Sequence, residues 1–190
     1  EGLNKLGFNE DISFELSTSK STYDTDGKID DEVQLADSGY GQGQILVNPI
    51  HMASIYSAFV NNGNMIKPTI IYEENKQPEY LKENAISEEA ANTIKEDLIQ
   101  VVENPNGTAH DAKIDGLTIG AKTGTAELKT TSTDTESGTL GWFDCFTVNY
   151  SASNPNINDM LIIGMVENTQ NNSSGGSHYV IKKIKSLFIK

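Results

Sequence analysis

Three stretches near the C-terminal end constrain the fold of this chain most: residues 117–128, 140–150 and 160–167, each apolar and strand-like. Short runs of glycine and polar residues separate them, which leaves little room for a crossover. Adjacent antiparallel pairing is therefore the economical arrangement. The third stretch is nearly continuous in apolar residues (Met160, Leu161, Ile162, Ile163, Met165, Val166), which reads as a central strand covered on both faces. Val180, Ile181, Ile184, Leu187 and Phe188 then recur at helical spacing, with Lys182, Lys183 and Lys185 facing out. This pattern predicts a C-terminal helix packed on the sheet.

Upstream the signals are helical and punctuated. Asn48-Pro49 supplies a cap and a first helical residue, and Met52, Ile55, Tyr56, Phe59 and Val60 form the apolar stripe that follows. Asn61-Asn62-Gly63 stops it. Ser87 caps a second helix with Glu88 and Glu89 in its first turn and Ala91, Ile94, Leu98, Val101 and Val102 on its buried side; Asn104-Pro105-Asn106-Gly107 ends it. Residues 65–73 read as an extended segment leading into a charged loop. Residues 1–38 read as polar and broken, and Gly39-Tyr40-Gly41-Gln42-Gly43 as a backbone that turns tightly. No internal repeat is visible. The fold class these elements define is α+β, an antiparallel sheet flanked by helices.

Composition narrows the function. A formal net charge of −13 argues against nucleic acid or an anionic membrane surface as partner. No apolar run is long enough to span a bilayer, and the N-terminal residues are not a signal peptide. The chain lacks an initiator Met and reads as a piece of something longer, so any export signal or membrane anchor is expected upstream. The one cysteine, Cys145, lies in the apolar run Trp142-Phe143-Asp144-Cys145-Phe146 and reads as a buried, inert thiol. His51, His110 and His178 are far apart in sequence, with no carboxylate or cysteine at ligand spacing, so no metal and no cofactor is expected.

The segment that carries chemistry is Gly120-Ala121-Lys122-Thr123-Gly124-Thr125-Ala126-Glu127. On a strand, Lys122 and Thr123 point to opposite faces, and Gly124 removes the side chain that would block a ligand lying against the backbone. A cation, a hydroxyl and a glycine in succession suit an anion-binding edge. Alone, such a triplet also occurs on solvated strand edges. Here it is joined by Gly141-Trp142-Phe143 on the next strand and by Gly39–Gly43 with Gln44 and Asn48-Pro49 upstream.

Taken together, these motifs resemble the penicillin-binding protein and serine β-lactamase superfamily, whose third motif is Lys-Thr-Gly on a sheet edge. The glycine segment and its following helix look like class B penicillin-binding proteins of Gram-positive type. The resemblance covers roughly residues 1–188 by motif order. Ala121 departs from the glycine more common before the lysine.

The resemblance implies that residues 1–190 are the C-terminal portion of one transpeptidase domain, with a partial transpeptidase fold. It implies a peptidoglycan D,D-transpeptidase at the extracytoplasmic face of the bacterial membrane, with stem peptides and β-lactams as partners. Lys122 would hold a positive potential and bond the second motif's serine. Thr123 and Thr125 would contact a substrate carboxylate, Gly124 would let it approach, and the Thr125 N–H would be half of an oxyanion hole. Glu127 and Trp142 match the family and are read as structural.

The family's chemistry also needs Ser-x-x-Lys and Ser-x-Asn. This sequence has no Ser-x-Asn. Ser17-Thr18-Ser19-Lys20 fits the first pattern but is followed by no apolar stripe, so it reads as a solvated loop rather than a nucleophile with a desolvated base. The fragment alone is expected to be inactive. A β-lactam-sensing or β-lactamase-like domain, or a non-catalytic module of the same fold, remains the alternative. The linker 129–138, mostly Thr, Ser, Asp and Glu, is expected to be mobile, and a truncated sheet edge makes a dimer of the fragment conceivable.

Overall fold

A computed structural model describes residues 1–128, 138–149, 159–173 and 175–188, which divide into two compact units, Glu1–Asn92 and Thr93–Lys190.

The first unit contains α1 (Gly2–Lys5), α2 (Glu32–Ser38), α3 (Pro49–Val60) and a small antiparallel pair, β1 (Met65–Ile66) with β2 (Tyr80–Lys82). Helix α3 starts where the sequence places it. Asn48 is extended, its side chain accepts the Ile50 N–H at 2.8 Å, and Pro49 occupies the first turn. It stops where Asn62 and Gly63 take φ of 51° and 86°. Gly63 is required twice over, because a Cβ there would lie 1.9 Å from the Ile86 carbonyl oxygen. The core is Phe8, Ile55, Ala58 and Met65, with Leu3, Met52, Phe59 and Ile86 packed around it. Buried His51 donates its Nε2–H to the Leu6 carbonyl, 2.8 Å away, and burial pushes its pKa down.

Two expectations fail in this unit. The stretch 1–38 is not all loop. Helix α2 forms because Asp31 caps it, accepting the Gln34 N–H at 2.8 Å, with Glu32 in the first turn. The extended segment 65–73 contributes only Met65–Ile66 to a strand, and the supposed charged loop returns as β2 to pair with it. The glycine segment does turn, with Gly41 and Gly43 at positive φ.

Helix α4 (Glu88–Glu103) runs across the boundary between the units and is capped by Ser87, whose Oγ accepts the Ala90 N–H at 3.2 Å. The second unit then forms β3 (Thr118–Glu127), β4 (Thr139–Val148) and β5 (Leu161–Val166), an antiparallel sheet in that order, followed by α5 (Gly176–Phe188). Ile119, Ala121, Phe143 and Cys145 on one sheet face pack with Val180, Ile181, Ile184 and Phe188 of α5 and with Val102 of α4. A fully buried Phe such as Phe143 contributes ~1.5–3 kcal/mol by desolvation.

The three predicted strands and their packed helix are therefore present, with corrections. The central strand is β4, and β5 pairs with β4 alone among the described residues. Nor is β5 covered on both faces among the described residues: it is half-buried along its length and Met165 is 37% exposed. A second correction is Leu187, which is 53% exposed rather than on the buried stripe. The predicted mobile linker falls mostly on 129–137, outside the described residues.

Candidate active site

Strand β3 divides its side chains by pleat. Ile119 and Ala121 point into the core under α5, and Thr123 and Thr125 continue that face toward the end of the strand. Gly120, Lys122 and Gly124 lie on the other face, beside Phe146, Asp144 and Trp142 of β4, their respective partners in the ladder. The structure thus brings Lys122, Thr123, Gly124 and Thr125 together on one edge strand of the described sheet, with ammonium and hydroxyls on opposite sides of it.

Lys122 is exposed, and its Nζ donates to the Thr123 carbonyl at 2.8 Å. The Thr123 Oγ1 lies 3.0 Å from the Oγ1 of Thr108, an exposed hydroxyl that sequence reasoning passed over. Thr108 is held there by Gly107, where a Cβ would sit 2.2 Å from the Val101 carbonyl oxygen. At Gly124 a Cβ would lie 3.2 Å from the Trp142 Cβ, which gives Trp142 a packing role. Gly141 and Gly176 let the start of α5 press on β4, since a Cβ at Gly141 would stand 2.4 Å from the Gly176 oxygen. The same approach carries α5 close to Thr125, whose Oγ1 would lie 3.4 Å from a Cβ at Gly176.

Asp144 is the second residue that sequence reasoning passed over. It is 5% exposed, directly opposite Lys122, and its Oδ1 has no hydrogen-bond partner among the described residues. Burial raises its pKa to about 7, against the opposing pull of the Gly164 N–H and of Lys122. The signal was in the sequence as an acid inside an apolar strand. Cys145 points to the α5 face, is fully buried, and is pushed up to about 12 by burial, as an inert thiol requires.

The decoy pair behaves as expected. Ser17 and Lys20 are exposed and lie outside any helix, with the Ser19 carbonyl accepting the Asn48 side-chain N–H at 2.6 Å. Among the described residues no group of three or more His, Cys, Asp or Glu could hold a metal. His178 does meet a carboxylate, its Nδ1 lying 3.4 Å from Asp111 Oδ2, across a distance in sequence that hid the contact.

An α+β fold with Lys-Thr-Gly on a sheet edge defines a class, and the chain belongs to it: residues 1–185 match the penicillin binding protein transpeptidase domain family. Among its relatives is penicillin-binding protein 3 of Bacillus subtilis, 39% identical over 188 residues, which are 99% of this chain and 27% of that protein. Stage V sporulation protein D of the same organism is 36% identical over 104 residues, half of this chain and 16% of that protein. The chain thus spans about a quarter or less of the relatives' lengths. In fold it is similar to penicillin-binding protein A of Mycobacterium tuberculosis, solved as a ceftriaxone acyl-enzyme complex. The match has a TM-score of 0.75 at 19% identity and covers 99% of this chain and 41% of that one.

Proposed function

We propose that residues 1–190 are the C-terminal portion of a single transpeptidase domain and supply the Lys-Thr-Gly wall of a peptidoglycan D,D-transpeptidase. The observation that carries this reading is the sequence Lys122-Thr123-Gly124-Thr125 on edge strand β3, in a chain of this family. The intact protein acts outside the cell membrane on stem peptides ending in D-Ala-D-Ala and is acylated by β-lactams. A serine outside this chain attacks the substrate carbonyl, D-Ala leaves, and the amine of a neighbouring strand takes the acyl group.

In that reaction Lys122 places positive charge over the site and bonds the hydroxyl of the second motif. Thr123 and Thr125 donate hydroxyl hydrogens to the substrate's terminal carboxylate, and Gly124 leaves room for it. The Thr125 N–H faces the oxyanion, and loss of one such donor typically costs ~10²–10³ in rate. None of these groups creates the charge it stabilises, because attack needs a nucleophile and a base. The isolated chain is therefore inactive. Its β5 edge, unpaired on one side among the described residues, favours pairing with a second copy.

The test is incubation with a fluorescent penicillin, followed by a denaturing gel and intact mass spectrometry. The full-length protein should carry one adduct and the 190-residue chain none. An adduct on the chain, above all one mapped to Ser17, overturns the assignment of the nucleophile; no adduct on the full-length protein overturns the transpeptidase reading.

A further inference from the structure

A carboxylate rarely lies buried in a sheet with an oxygen unsatisfied, because desolvation penalises it in either state. Asp144 is such a group, and its place is not arbitrary. It faces Lys122 across the β3–β4 ladder on the same side of the sheet. Its other cross-strand neighbour, Ile163 of β5, is apolar, as are Leu161 and Met165 beside it. Helix α5, with Lys182, Lys183 and Lys185, covers the opposite face together with Cys145. Among the described residues, Lys122 is thus the charge that faces Asp144.

The Lys122 ammonium, however, is bonded to the Thr123 carbonyl rather than to Asp144. Two acceptors are therefore open to one flexible cation: a carbonyl at the strand edge, and a buried Oδ1 behind it. Which one is preferred depends on whether Asp144 carries charge. A neutral carboxyl offers little to an ammonium, whereas an ionised one in a low-dielectric setting offers a strong partner.

We propose that Asp144 is a positioning residue for Lys122: ionised, it draws the ammonium inward and opposes the substrate carboxylate, and protonated, it leaves the ammonium at the strand edge. This rests on the transpeptidase reading of β3. The proton exchanges with solvent, and no bond is made or broken. With the carboxyl raised to about 7, the exchange falls near neutral pH. By linkage, a bound carboxylate beside Lys122 raises the affinity of Asp144 for its proton, so capture of an anionic ligand is favoured below neutrality.

Two measurements on the full-length protein test this. The first is the second-order rate constant of acylation by benzylpenicillin, a monoanion, for the wild type and Asp144→Asn between pH 6 and pH 8.5. The ratio of variant to wild type should rise about three- to tenfold over that range, as expected for removing a charge several ångströms from the ammonium. A ratio independent of pH overturns the proposal. The second needs no activity: urea unfolding of the wild type, Asp144→Asn, Lys122→Met and the double variant. The coupling between the two positions should be present at pH 8 and vanish at pH 5, where Asp144 is neutral. Coupling that is absent at pH 8, or equal at both, overturns the proposal. If the wild type is not acylated at all, the transpeptidase reading fails and the unfolding cycle still decides whether Asp144 and Lys122 act on each other.

Discussion

Burial raises the Asp144 carboxyl to about 7, whereas an unfolded chain releases that proton near 3.8. Between these values the folded state holds a proton that the unfolded state has lost. Stability therefore falls as pH rises through the window and levels off above it. The loss is at most about 4 kcal/mol for a shift of this size. His51 has the opposite slope, because burial lowers its pKa and the unfolded chain binds the proton first as pH falls. Subtracting the Asp144→Asn variant removes the His51 contribution. The variant's unfolding midpoint should gain on the wild type between pH 4.5 and pH 7.5, and a constant difference would contradict a buried titrating acid. Cys145 gives a simpler outcome. Its thiol is buried and pushed to about 12, so a thiol reagent at pH 8 should label the chain only after denaturant is added. Labelling of the native chain at the rate of a free thiol would show that β4 is not packed as described.

Element boundaries were legible where a capping side chain precedes a clear apolar stripe, as in α3. The Asn48 cap of α3 is local chemistry, and it is reinforced by the Ser21 hydroxyl, which accepts the Asn48 N–H at 2.9 Å. Replacing Asn48 with Ala should cost ~1 kcal/mol, read as a drop in melting temperature with helix content retained. The strand β3 depends on a contact that no local rule reveals. A Cβ at Gly120 would sit 2.4 Å from the Phe146 Cζ, so Gly120→Ala should destabilise by ~1–3 kcal/mol. A pair with Phe146→Leu should recover part of that loss, and failure to do so would place the strain elsewhere. Helix α2 and strand β2 were missed because each is short: seven residues held by the Asp31 cap, and three residues held by pairing with β1. Short elements have too few residues to show a period.

For the whole molecule, the sheet of the second unit has β4 inside and β5 at an edge of the described strands. Sedimentation of the isolated chain should show self-association that grows with concentration, and Met165→Lys, on the exposed side of β5, should weaken it; a monomer throughout would contradict pairing at that edge. The family was legible because its chemistry is written in contiguous residues. Lys122 to Thr125 are consecutive, and the alternation of a strand alone sends the ammonium and the hydroxyls to opposite faces. The helices α3, α4 and α5 were legible for a related reason, since caps and apolar spacing act within a few residues. Strand order could not be read this way. The continuous apolar run of 160–166 fixes neither the neighbours of a strand nor its covering: β5 is only half-buried while β4 is largely buried, so β4 and β5 exchanged roles. The same limit hid Asp144, whose meaning comes from standing opposite Lys122, twenty-two positions away in the chain. It also hid Thr108, brought to Thr123 by a turn around Gly107. Covalent neighbours and helical or pleated period determined the elements and the site motif. Strand order, burial of charge and contacts between distant side chains were decided only when the chain closed on itself, because desolvation depends on everything that packs around a group.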